Sequence, residues 1–247
     1  VSDPNTGRAA RTGGRDAPAP AAKPPGKRER AKSERRLRIV RAARDLIRET
    51  GDTDLSMRAL AERAEVSLGT PYNLFGSKRA VVLAVLEDER DFVDRFFQLK
   101  VDNSLERVFA AHDLAFSYYL KDPDFYRTLW RALLERGGQD ETGLASPERL
   151  AQTREIWISL LGDAVRDGYL SPPFSLARLE EVLEHLVRGA LLSWVMGNQQ
   201  TETLSTSVGL GYALCLAGMA TDSGAPILAR RLQVYGSELD GAAHKDC

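Results

Sequence analysis

Residues 55–78 read LSMRALAERAEVSLGTPYNLFGSK, and the spacing of their apolar side chains decides the fold. Met57, Leu60, Ala61 and Ala64 recur three and four apart, so they share one face of a short helix that must pack on something. Val66 occupies the turn that follows, and Ser67 precedes the next segment as a candidate N-cap. That second segment, 68–75, is only two turns long and needs a neighbour to hold it. Phe75 is expected in the core, whereas Thr70, Tyr72 and Asn73 point outward with groups that suit phosphates or base edges. Two short crossed helices presenting the second one outward form a helix-turn-helix, whose second helix enters the DNA major groove.

The flanks extend this reading. Helical periods continue to the C-terminus without strand alternation, so the chain is expected to be all-α. It would have an N-terminal three-helix DNA-binding domain and a larger helical regulatory and dimerisation domain. At 247 residues and 43% apolar, it is long enough for two cores. The net charge of −1 conceals an asymmetry. Residues 1–86 hold 18 basic and 10 acidic side chains, and residues 87–247 hold 16 and 25. One half suits a polyanion that the other repels. Cys215 and Cys247 form no metal or disulfide pattern, and no apolar run reaches the length of a bilayer span. A soluble, intracellular protein is expected.

Four segments follow in chain order: a disordered basic arm (1–33), a DNA-binding domain (34–80), a ligand-binding and dimerisation domain (81–240) and a flexible tail (241–247). The arm has five prolines and four glycines and lacks large apolar residues. It is either a solubilising leader or a tether along the phosphate backbone or minor groove. Helix 1 is expected over 34–49, with Gly51 as its stop. Ile39, Ala42, Ala43, Leu46 and Ile47 form its buried stripe, and its other side is basic. Among those arginines the N-terminal ones, such as Arg36, are the better phosphate candidates. Helix 4 starts near Ser77 and is expected to run on towards Phe97 as a stiff lever between the domains. Asn103, Asp122-Pro123, Ser146-Pro147 and Ser175 mark later helix starts, and the last helix is expected over 226–239.

The order Ala61, Ala64, Val66-Ser67, Gly69-Thr70, Tyr72, Phe75, Ser77-Lys78 resembles the DNA-binding domain of the TetR family of bacterial transcription regulators over residues 34–86. The resemblance implies base-edge contacts from Leu68, Thr70, Asn73 and Leu74, and phosphate contacts from Thr70, Tyr72 and Lys78. It also implies a homodimer on a palindromic operator of double-stranded DNA and a small organic ligand that relieves repression, in the cytoplasm at the bacterial nucleoid. Three residues depart from the family pattern. Glu65 replaces a frequent glycine, which points to a turn without positive φ. Leu74 replaces a common histidine, which alters the readout. Pro71 replaces an apolar residue and predicts a loosened or 3₁₀-like first turn, because its missing amide removes the first helical hydrogen bond.

Two later helices are apolar on more than one face, which predicts a two-fold four-helix interface. Leu183, Val187, Leu191 and Trp194 are its candidates on one helix, and Leu210 and Leu214 on the other. His112, Phe116, Tyr119, Phe125, Trp130 and Trp157 are the candidates for enclosing a ligand. Taken singly, each is more often ordinary core, so the case for a pocket rests mainly on the resemblance. The histidine spacing is not a metal signature. No phosphate loop, nucleophile elbow, zinc helix or dinucleotide fingerprint occurs, so no catalytic residue, metal or cofactor is expected. The competing class is a helical adaptor whose basic end binds another protein.

Overall fold

A computed structural model describes residues 26–88, 95–135 and 147–244. The proposed Gly137-Gly138 helix stop, most of the arm and the last residues of the tail lie outside them. Among the described residues, helices run in the order α1 (Lys27–Thr50), α2 (Met57–Arg63), α3 (Gly69–Phe75), α4 (Lys78–Glu87), α5 (Ser104–Lys121), α6 (Pro123–Glu135), α7 (Pro147–Arg166), α8 (Leu176–Val195), α9 (Thr201–Ala217) and α10 (Ala225–Ala243). The same residues contain no strand, only one isolated bridge between Leu170 and Ala220. None of their helices is long and apolar enough to cross a membrane.

Helix starts follow the capping chemistry in the sequence. Side chains of Ser56, Ser77, Asn103 and Ser175 accept from the amides of Ala59, Ala80, Glu106 and Arg178, and Pro123 and Pro147 open α6 and α7. Two boundaries differ from expectation. Helix α1 begins at Lys27 rather than 34, so the last residues assigned to the arm are helical. Helix α4 ends at Glu87, well short of Phe97. Its end is fixed from outside, because the Arg44 guanidinium donates to the carbonyls of Val85 (3.2 Å) and Asp88 (2.8 Å).

Helices α1 to α4 enclose one end of the core with Ile39, Ala43, Ile47, Leu60, Val81 and Val85. The rest is built by α5 packing on α7 and α9, α8 on α7 and α9, and α10 along α9. Helix α10 is seated by a buried carboxylate: Glu106 on α5 accepts from both Arg230 and Arg231. Close approach also holds it, since a Cβ on Gly209 would lie 2.8 Å from the Tyr235 ring.

Candidate DNA interface and regulatory interior

The turn between α2 and α3 is a Schellman motif. Val66 N–H bonds to Ala61 O at 3.0 Å and Glu65 N–H to Glu62 O at 3.2 Å. This geometry puts Glu65 at φ 53°, the one positive φ among the described non-glycine residues. The expectation of a turn without positive φ is therefore wrong. The chain keeps the left-handed turn and places a strained glutamate in it.

Helix α3 begins on a tight turn, with Thr70 N–H bonded to Ser67 O at 2.9 Å. That i to i+3 bond suits a helix whose third residue, Pro71, brings no donor. The Pro71 side is buried and acts as the seat of the helix. The Ser67 hydroxyl pairs with the Thr70 hydroxyl at 2.7 Å instead of capping an amide. Leu68 (57% exposed), Gly69, Tyr72 (49%) and Asn73 face outward. A Cβ on Gly69 would meet only the Asn73 amide nitrogen, at 3.9 Å, so nothing inside this chain requires glycine there.

Three candidate contacts are placed differently from expectation. Leu74 is half-buried against the core rather than presented for readout. Arg36 donates to Leu74 O at 3.0 Å and stacks 4.2 Å from the centre of the Phe75 ring, so it clamps the end of α3 to α1. Phe75 is accordingly half-buried instead of core. Lys78 bonds to Asp54 at 3.0 Å. That ion pair accounts for a cation in the first turn of α4, where the helix dipole disfavours it. Sequence reasoning also missed the pair joining α2 to α1, in which Arg63 grips both Glu49 oxygens at 2.6 and 2.9 Å. These bonds hold the Glu49 carboxyl below the usual carboxylate range.

The basic domain meets the rest of the chain through α4 on α6 and through Arg48. Arg48 forms an ion pair with Asp122 (2.8 Å), and its guanidinium lies 4.6 Å from the centre of the Phe125 ring. Phe125 is thus part of this junction. His112, Phe116 and Tyr119 form a continuous ring series on α5: His112 to Phe116 is 4.6 Å and Phe116 to Tyr119 is 5.7 Å. Tyr212 joins it 5.2 Å from His112, with Trp157 5.8 Å beyond. His112 is 1% exposed. Its Nδ1 lies 3.0 Å from Asp113, whereas its Nε2, like Trp130 Nε1, is buried with no hydrogen-bond partner among the described residues. An open cleft of about 990 Å³, not foreseen from the sequence, lies between α6, the α8–α9 turn and the end of α10. Arg127, Arg131 and Thr201 line part of it.

The expected dimer residues divide by burial. Trp194 (0% exposed), Leu183 and Leu191 lie in the chain's own core and cannot meet a partner. Val187 and Leu210 are half-buried. Leu214 (59%) is open, and so are Val182, Leu192 and Met196 (67%), which sit on the opposite side of α8.

Residues 39–85, spanning the buried stripe of α1 through α4, match the family model for bacterial regulatory proteins, tetR family. Over these residues the chain carries the DNA-binding domain of the tetR family. With that domain, it is a DNA-binding transcription regulator. It is 28% identical over 163 residues to the HTH-type transcriptional regulator UidR of Escherichia coli (strain K12), covering 63% of this chain and 79% of the relative. Over 64 residues it is 41% identical to the HTH-type transcriptional repressor KstR of Rhodococcus jostii (strain RHA1), or 26% and 30% of the two chains. Its fold is similar to a TetR transcriptional regulator from Rhodococcus sp. RHA1, with a TM-score of 0.58 at 20% identity over 77% of this chain and 100% of the other. It is also similar to Thermus thermophilus FadR in complex with lauroyl-CoA, with a TM-score of 0.56 at 23% identity over 75% and 95%.

Proposed function

We propose that this protein is a tetR-family repressor that binds a palindromic operator as a homodimer and is released by a small organic ligand. The reading is carried by the outward surface of α3. Leu68, Gly69, Tyr72 and Asn73 are exposed on a helix whose opposite side is seated by Pro71 and whose end is clamped by Arg36. Asn73 is the residue able to pair bidentately with adenine, while Leu68 offers apolar contact to a thymine methyl. Tyr72 and the first-turn Thr70 face phosphates. Lys78 joins them by exchanging Asp54 for a phosphate. The DNA-binding unit runs from α1 through α4, since Val81 and Val85 belong to the core that α1 closes.

The homodimer is assigned to Val182, Leu192 and Met196 on α8 with Leu214 on α9, in place of the buried Leu183, Leu191 and Trp194. Positions 182, 189, 192 and 196 form one stripe at helical spacing. Two such faces in a two-fold bundle would present two α3 helices to one duplex about 34 Å apart. The ligand reading rests on the interior between α5, α6, α7 and α9. His112 Nε2 and Trp130 Nε1 are buried polar atoms without partners among the described residues, each costing about 1–3 kcal/mol, and an apolar molecule with a polar group would satisfy one of them. Such a ligand releases DNA only by binding more tightly to the form whose α3 helices are wrongly spaced.

The test is selection of bound sequences with the purified protein, followed by footprinting. A palindromic site is expected. Replacing Asn73 by Ala should cost about 1–3 kcal/mol at one symmetric base pair. Binding without sequence preference would instead support an adaptor with a basic end.

A further inference from the structure

The first three turns of α1, from Lys27 to Arg38, contribute no fully buried residue to the core, and Arg36 alone of their cations is tied to another helix. Ile39 is the first residue of the helix to enter the core, and every residue before it is exposed except the half-buried Ala31. A helical stretch that is polar on nearly all sides is not sustained by burial. Its charges do not account for it either. Lys27, Arg28, Arg30, Lys32, Arg35, Arg36 and Arg38 stand against Glu29 and Glu34. Cations at the N-terminal end oppose the helix dipole. Lys27, Arg28, Arg30, Lys32 and Arg35 make no side-chain hydrogen bond or ion pair among the described residues, whereas Arg36 is committed to Leu74 and Phe75.

We propose that Lys27–Arg38 is a second DNA-contacting element: a helical spur whose cations lie along the sugar-phosphate chain outside the bases read by α3. Two observations favour duplex DNA over an acidic protein. The spur leaves the domain beside the C-terminal end of the recognition helix, because Arg36 is hydrogen-bonded to Leu74 O, so its charge is continuous with the α3 surface. Its unpaired cations are spread along the helix at 27, 28, 30, 32 and 35 and around its sides, the distribution a row of phosphates accepts. At about 1.5 Å per residue the twelve residues reach roughly 18 Å, the axial rise of about five base pairs of duplex. The spur supplies affinity and a longer footprint but no base preference.

The proposal rests on operator binding by α3, and the experiment separates the two. Wild-type protein, a variant carrying Lys27→Gln, Arg28→Gln, Arg30→Gln and Lys32→Gln, and Ser33→Pro are titrated against the selected operator from low to moderate salt. Hydroxyl-radical footprints are taken of each complex. Ser33→Pro keeps every charge but detaches the first turns of α1, since proline removes a helical amide and clashes with the preceding turn. The glutamine variant should bind the same sequence with a salt slope shallower by about 0.9 for each phosphate that is no longer neutralised. It should also leave the outer edges of the footprint unprotected. Ser33→Pro should expose the same edges. Unchanged slope and edges in the glutamine variant would overturn the proposed phosphate pairing, and unchanged edges in Ser33→Pro would overturn the rigid spur in favour of a loose basic arm. Failure of the wild type to select an operator would instead sink the α3 reading.

Discussion

Replacing Glu65 by Gly should stabilise the DNA-binding domain. Glu65 occupies the left-handed position of the Schellman turn at φ 53°, where an L-residue bears a cost of about 1–2 kcal/mol that glycine avoids. Glycine returns about 0.5–1 kcal/mol of that as extra freedom in the unfolded chain. The net gain is therefore about 0.5–1 kcal/mol. The side chain is exposed, so no packing is lost. The control is Glu65→Ala, which removes the same charge but keeps the strained backbone. Hydrogen exchange of the α2 and α3 amides measures the local opening free energy, and calorimetry measures the shift in melting temperature, about 1–4 °C for a chain of this size. Glu65→Gly should exceed Glu65→Ala in both. Equal stability of the two variants would refute the claim that the turn is strained. Both should bind nonspecific DNA slightly more tightly at low salt, because each removes a negative charge close to the interface.

Gly209→Ala should destabilise the protein by about 1–3 kcal/mol in urea unfolding, since the added methyl would stand 2.8 Å from the Tyr235 ring and push α10 off α9. Leu192→Asp combined with Leu214→Asp should give a folded monomer in sedimentation, with operator affinity abolished; Leu183→Asp should instead unfold the chain, because Leu183 is buried within one protomer. Glu180 is buried beside Glu184, and that burial raises its pKa above 4.5. The folded state therefore keeps this proton to higher pH than the unfolded chain. Stability from this group is complete below about pH 4.5 and falls as pH rises through the raised value. Glu180→Gln should flatten that part of the stability profile measured by urea melts.

Much of the fold can be read from residues that act locally. Ser77, Asn103 and Ser175 cap where their position before an apolar period says they should, and Pro123 and Pro147 open helices for the same reason. The spur at Lys27 is illegible in the sequence because it has no apolar period; its helicity is inherited from the turns that follow. Periodicity also cannot tell which of two apolar sides of α8 faces inward, so Trp194 and Leu192 look alike until α6 and α9 are in place around them. The α3 surface is legible at Tyr72 and Asn73. Around it, the placement of Leu74, Arg36 and Lys78 is not legible, because it depends on partners distant in sequence: Arg36 reaches 38 residues to Leu74, and Lys78 reaches 24 back to Asp54. Glu65 misleads because the turn's hydrogen bonds, rather than the residue in it, set the backbone.

The grip of Arg44 on the end of α4 has a mechanical corollary. Since the last carbonyls of α4 are tied to α1, these two helices cannot pivot against each other without breaking that tie, and they should travel as one body. Whatever reorients the reading helix must then move that body as a whole, by way of the packing of α4 on α6 or the Arg48–Asp122 contact, where force from the acidic half reaches the basic one.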